Sequence, residues 1–308
     1  MNPTELCFSG LAVSPVSFGC WELGGGKWQK GDDAENIRLI RTARDRGITV
    51  FDTAVNYGDG HSEAVVGLAV APFRTDCILA TKVRPDMLRE ADVYASVEGS
   101  LRRLHTEYID LLYVHWPNDA IPIDETMGAF ARLREQGKIR GIGVSNFSIR
   151  QLRRAAACVK PDAVQMEYSL LQRSVEAEIV PFCTARQIGI FSYSTNAKGI
   201  LAGVFRGGRA LPADDFRAAR RLFKPEHMRL AEPLLDTVET IARRHDAAPA
   251  QVAIAWVLTR PGMTSAIFGT QNFRHLDENI RAAQLSLTPD ETALLTSASD
   301  EALAKIDA

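Results

Sequence analysis

The sequence predicts a closed parallel barrel of eight βα units, a (βα)8 TIM barrel in the α/β class, and three observations carry that prediction. Short apolar, β-branched runs recur along the chain, each followed by a stretch with helical periodicity. The first five runs end at residues 19, 52, 82, 115 and 145, a spacing of 30 to 33 residues, which is one strand, one helix and two short loops. The runs lack in-out alternation, as strands buried on both faces do. A doubly wound sheet is the competing architecture. Neither Gly24-Gly25-Gly26 nor Gly141-Ile142-Gly143 fits its glycine fingerprint in context.

Taken in order, residues 5–14 read as two short strands around Ser9-Gly10, suited to an N-terminal β-hairpin closing the barrel bottom. Candidate barrel strands follow at Val16–Gly19, Thr49–Asp52, Ile78–Lys82, Asp110–His115, Ile139–Ser145, Ala163–Glu167, Ile188–Tyr193 and Ser265–Phe268. Asp32-Asp33 opens a helix through Ile37, Ile40 and Ala43 to the Gly47 stop, with arginines in its last turn where the helix dipole favours them. Pro85-Asp86 introduces the helical stretch holding Val93, Val97, Leu101 and Leu104. The step from 193 to 268 is 75 residues, so the rhythm breaks after the seventh strand. Its first part, through Arg221, is rich in glycine and charge and predicts a long loop crossing the barrel top. Helices near 226–243 and 249–258 restore the pattern, with Trp256 in the core. Thr288-Pro289-Asp290-Glu291 is a capping box with proline at the first helical position, so a C-terminal helix packs outside the barrel. No linker or low-complexity segment interrupts residues 1–308, which read as one domain.

Composition narrows the function classes. Thirty-six basic against 38 acidic side chains leave a formal charge of −2, without the electrostatic footprint of a nucleic-acid binder or a polybasic membrane protein. No apolar run is long enough to span a membrane, and MNPTELCFSG lacks the features of a signal peptide. The five cysteines, Cys7, Cys20, Cys77, Cys158 and Cys183, form no CxxC pair, so no zinc ribbon or dithiol site is expected. A cytoplasmic location and no metal follow as expectations.

In a barrel of this kind, residues at the C-terminal strand ends face the active site. Asp52 ends the second strand with Tyr57 just beyond, Lys82 ends the third and His115 the fourth. Singly, Asp52 could cap a helix, Tyr57 line a wall, Lys82 be a surface charge and His115 a core histidine. Together on three adjacent strands they suit proton transfer to oxygen. A phenol titrates near 10, and an ammonium beside it is expected to bring that value down. The desolvated ammonium needs a carboxylate, which Asp52 supplies. A histidine on the next strand can donate a hydrogen bond to a carbonyl oxygen. The set fits carbonyl reduction or its reverse, with hydride from an external donor.

DTAVNYG, SEAVVG, ATKV, LLYVHWP, GKIRGIGVSNFS and the closing GTQNFRHLDEN resemble, in order and spacing from about residue 5 to 300, the aldo-keto reductase superfamily. The resemblance implies Asp52, Tyr57, Lys82 and His115 as a catalytic tetrad with Tyr57 the proton donor. It implies Ser145, Asn146 and Gln165 on the nicotinamide carboxamide, Tyr193 stacked beneath the ring, and Glu278 and Asn279 on the adenine. Gly269, Thr270, Gln271 and Arg274 would face the adenosine phosphate. Two departures from the family pattern stand out. Thr195-Asn196 replaces the usual proline and leucine after the seventh strand, ahead of a lysine, Lys198, placed either toward a phosphate or toward solvent. Gln271 stands where several relatives carry arginine, leaving Arg274 and His275 as the cations, so NADP(H) is favoured and NAD(H) is possible. Trp21, Trp28 and Trp116 are expected at the barrel mouth as substrate walls for a small carbonyl or alcohol compound. Besides a broad oxidoreductase, three readings stay open. They are a reductase specific for one biosynthetic oxo-sugar intermediate, a Schiff-base enzyme using Lys82, and a cofactor-binding barrel without turnover.

Overall fold

The computed structural model describes residues 4–5, 10, 12–25, 31–208, 211 and 215–308. A two-stranded antiparallel ribbon, β1 (Thr4–Glu5) with β2 (Ala12–Val13), precedes eight parallel strands that close on themselves. These are β3 (Val16–Gly19), β4 (Val50–Asp52), β5 (Ile78–Val83), β6 (Ile109–Val114), β7 (Ile139–Ser145), β8 (Ala163–Glu167), β9 (Gly189–Tyr193) and β10 (Met263–Gly269). β10 pairs with β3 and completes the ring. The expected hairpin is present with its first strand at Thr4–Glu5, and Ser9 of the expected turn lies outside the described residues. It sits at the barrel bottom. Val13 packs with Val50 and Ile78, and Ser14 N donates to Thr49 Oγ1 at 2.8 Å.

Helices wrap the ring: α1 (Asp33–Asp45), α2 (His61–Val70), α3 (Glu90–Arg103), α4 (Ile123–Glu135), α5 (Ile149–Cys158), α6 (Ile179–Ala185), α7 (Pro225–Arg244), α8 (Pro249–Leu258), α9 (Phe273–Arg281) and α10 (Pro289–Asp307). Their starts follow local chemistry. Asp32 Oδ1 accepts from Ala34 N and Glu35 N, satisfying two amides that no helical carbonyl can reach. Thr288 and Glu291 form the reciprocal capping box that opens α10. Between β9 and α7 the described residues form only short 3-10 turns, in the excursion expected after the seventh strand.

Two apolar layers result. The larger lies between strands and helices and includes Trp256, while the smaller fills the barrel interior with Val50, Ile78, Ala80, Leu111, Tyr113, Ala163, Phe191 and Ile267. Tyr113 fits inside because position 143 on the neighbouring strand is glycine. A Cβ there would stand 2.3 Å from the Tyr113 ring. Strand periodicity of two then fixes what lies above this layer. Two residues past Val50, Ala80, Tyr113, Ala163, Phe191 and Ile267 come Asp52, Lys82, His115, Gln165, Tyr193 and Gly269. The polar residues of the upper rim are therefore the next inward layer of the same strands.

Candidate active site

The rim opens into a cleft of about 1290 Å³ at the C-terminal ends of the strands. Asp52, Tyr57, His115, Ser145, Asn146, Gln165, Tyr193, Gly269, Thr270, Gln271, Arg274, Glu278, Asn279, Trp21 and Trp116 all line it. Lys82 lies beneath the floor, 1% exposed. Trp28 falls outside the described residues.

Lys82 is the centre of the geometry. Its ammonium donates to Asp52 Oδ1 at 2.6 Å, to the Thr53 carbonyl at 2.8 Å and to the Tyr57 hydroxyl at 3.4 Å. Three acceptors satisfy its three protons. Burial alone would pull the Lys82 value down, but attraction to Asp52 and Tyr57 outweighs it and the net direction is up. The Tyr57 phenol moves opposite to the sequence expectation. Burial pushes it up, Lys82 pulls it down, and burial wins, so the phenol keeps its proton. His115 sits edge-on to Tyr57 with ring centroids 5.8 Å apart. Burial, then repulsion from Lys82, lowers its value to about 3, so the imidazole is neutral at ordinary pH.

Tyr57 is held by its loop. Gly58 has φ +64°, and a Cβ on it would stand 1.9 Å from the Gly24 carbonyl oxygen. The turn after β3 and the turn after β4 thus abut at two glycines, which leaves the Tyr57 ring beside Trp21 at 6.3 Å.

The other wall is amide-rich. Ser145 Oγ donates to the Gln165 carbonyl, and Asn146 Nδ2 donates to the His115 carbonyl and to Ser145 Oγ. Tyr193 donates its hydroxyl to Asn146 Oδ1 at 2.7 Å. Gln165 has a further tie that sequence reading missed: its Nε2 donates to Asp52 Oδ2 at 2.8 Å. Lys198, for which phosphate or solvent was expected, is instead half-buried, paired with Glu167 and donating to Ser194 Oγ. Glu167 follows Gln165 by two on β8, and that period was the available signal. Glu22 also lines the cleft unforeseen. Burial, partly offset by Arg217, raises its carboxyl to about 7. At the far end Gln271 Nε2 donates to the Glu22 carbonyl, and Arg274 reaches Glu278 at 3.6 Å. Phe216 of the excursion meets Trp21 edge-on at 5.4 Å.

A deep polar cleft over a parallel barrel, floored by a carboxylate, an ammonium and a phenol, defines a class of barrel oxidoreductase sites. The chain belongs to the aldo/keto reductase family, whose model matches residues 15–300. It is 34% identical over 282 residues to the aldo-keto reductase YhdN of Bacillus subtilis, covering 88% of this chain and 85% of that protein. Among solved structures it resembles the glycerol dehydrogenase AKR11B4 from Gluconobacter oxydans, with a TM-score of 0.89, 30% identity, and coverage of 96% and 94%. It also resembles an aldo/keto reductase from Klebsiella pneumoniae solved with NADP and acetate, with a TM-score of 0.78, 29% identity, and coverage of 96% and 95%.

Proposed function

We propose that this protein interconverts small carbonyl compounds and alcohols using NADP(H), with Tyr57 as the proton donor. The observation that carries the reading is the buried Lys82 ammonium shared between Asp52 and the Tyr57 hydroxyl, at 2.6 and 3.4 Å. Tyr57 holds a proton at the cleft floor. Lys82 lies where it stabilises the phenolate left when that proton goes to a substrate oxygen, and Asp52 keeps Lys82 charged. Neutral His115 is placed to donate a hydrogen bond to the same oxygen. A Schiff-base role for Lys82 is disfavoured, because a nucleophilic amine must shed a proton that three acceptors here retain.

The cleft residues fit a dinucleotide. Side-chain amides and a hydroxyl, which offer both donors and acceptors, surround one end, and Arg274 provides a cation and His275 an imidazole at the other. In the loop between them, buried Asn196 Oδ1 has no protein partner among the described residues. Ser145, Asn146 and Gln165 would hold the carboxamide and Tyr193 would support the nicotinamide ring. Glu278 and Asn279 would meet the adenine. Gly269, Thr270, Gln271 and Arg274 would face the adenosine phosphate. The nicotinamide supplies the hydride when bound. The Klebsiella relative solved with NADP supports NADP(H) over NAD(H).

Replacing Tyr57 by Phe and following NADPH oxidation with a panel of short aldehydes tests the reading. Turnover should fall about 10²-fold or more while NADPH still binds. Undiminished turnover would remove Tyr57 as the acid.

A further inference from the structure

Among the described residues, the lysines and arginines of the cleft share a pattern with one exception. Lys82 faces Asp52, Lys198 faces Glu167, Arg217 faces Asp215 and Arg274 faces Glu278. Arg220 lines the same cleft and has no carboxylate partner among the described residues. Its guanidinium lies over the Phe216 ring, 5.9 Å from the centroid, and Phe216 in turn meets Trp21. Trp21 lies beside Tyr57 with ring centroids 6.3 Å apart, so these rings link Arg220 to the Tyr57 end of the cleft, and its charge also reaches the Tyr193 hydroxyl and the Lys198 ammonium. The residue is exposed.

A guanidinium on an aromatic face, lining a cleft whose other lysines and arginines each face a carboxylate, offers a cation at the mouth. Such a fork matches a carboxylate or phosphate with two parallel hydrogen bonds. We propose that Arg220 is the receptor for an anionic group entering this cleft. On the reading of the site as a carbonyl reductase, the favoured source is a carbonyl substrate carrying a carboxylate or phosphate. The other source of the same chemistry is the phosphate of the dinucleotide itself. Phe216 holds the guanidinium in place, and Trp21 and Trp116 flank the uncharged part of the substrate.

The two sources separate by binding alone, without turnover. Calorimetry on the protein loaded with NADP+ gives dissociation constants for 4-carboxybenzaldehyde and for its neutral methyl ester, methyl 4-formylbenzoate. Titration of the unloaded protein gives the constant for NADPH. If the anion belongs to the substrate, the wild type prefers the acid over the ester by about tenfold, and Arg220→Ala abolishes that preference. Arg220→Lys retains part of it. If the anion belongs to the dinucleotide, Arg220→Ala weakens NADPH by about tenfold and leaves the acid-to-ester ratio near one in both proteins. An unaltered ratio together with unaltered NADPH affinity overturns the proposal. Arg220→Gln, which keeps most of the side chain over Phe216, repeats both arms should the alanine variant lose its fold. Failure of the reductase reading appears separately, as absent turnover in the wild type.

Discussion

In the proton transfer proposed for Tyr57, a single nitrogen, that of Lys82, sets the balance. Burial holds the phenol protonated, and Lys82 is the first of the groups drawing it toward ionisation. Lys82→Met removes that pull and leaves Asp52 buried without its cation, so kcat should fall about 10²–10⁴-fold. A loss of less than tenfold in steady-state assays would contradict the role. His115 adds a pH signature. The folded protein keeps it neutral down to about 3, whereas an unfolded imidazole binds a proton near 6.5. Between those values the unfolded chain carries the extra proton, so this contribution to stability is intact above 6.5 and is lost as pH falls toward 3. Denaturant melts at about pH 7 and about pH 5 should show the wild type losing more stability than His115→Asn. At this scale the sequence is readable where a residue type is unusual for its place, as with a lysine ending a buried strand. It is silent on Gln165 reaching Asp52 across 113 positions, because that contact exists only once the barrel closes.

Elements place these side chains, and the glycine contact between the turns after β3 and β4 is the tightest instance. An alanine at 58 must adopt φ +64° and also displace the Gly24 carbonyl. Gly58→Ala is expected to cost about 1–3 kcal/mol and to lower kcat by moving Tyr57 from Lys82, with NADPH affinity less affected. Urea melts and nucleotide titration check both parts. Strand positions were legible, and Val16–Gly19, Ile139–Ser145 and Ala163–Glu167 coincide with the observed β3, β7 and β8. Elsewhere the ends move by a residue or two, and β6 stops at Val114 with His115 just past it, its amide still donating to the Val83 carbonyl at 3.0 Å. The excursion after β9 was legible only as an interruption. Its chain has no period to read, so Phe216 over Trp21 and Arg220 over Phe216 could not be foreseen.

Across the whole molecule, chemistry and stability occupy opposite ends of the barrel. Near the bottom, fully buried Asp110 accepts from Leu79 N and Arg140 at 3.0 Å and pairs with Arg74 at 2.6 Å, linking three adjacent strands. Tyr108 lies between the two guanidinium groups, 4.0 and 3.8 Å from them. Asp110→Ala leaves those cations uncompensated and should cost about 3–5 kcal/mol, seen as a lower denaturation midpoint, with KM for substrate and nucleotide unchanged. A shifted KM would show that the two ends are coupled. The eightfold plan was legible because it repeats. The Asp110 cluster was not, since its members come from different repeats and no local spacing joins them.

The hydrogen bonds from Asn146 to the His115 carbonyl and from Gln165 to Asp52 acquire a wider meaning from their positions in the chain. The residues assigned to proton handling end at 115, and those assigned to the nucleotide begin at 145. Each of these bonds stitches the earlier stretch to the later one. Cofactor preference can therefore drift through changes in the second half while the acid–base apparatus of the first half stays as it is, provided those two seams are kept.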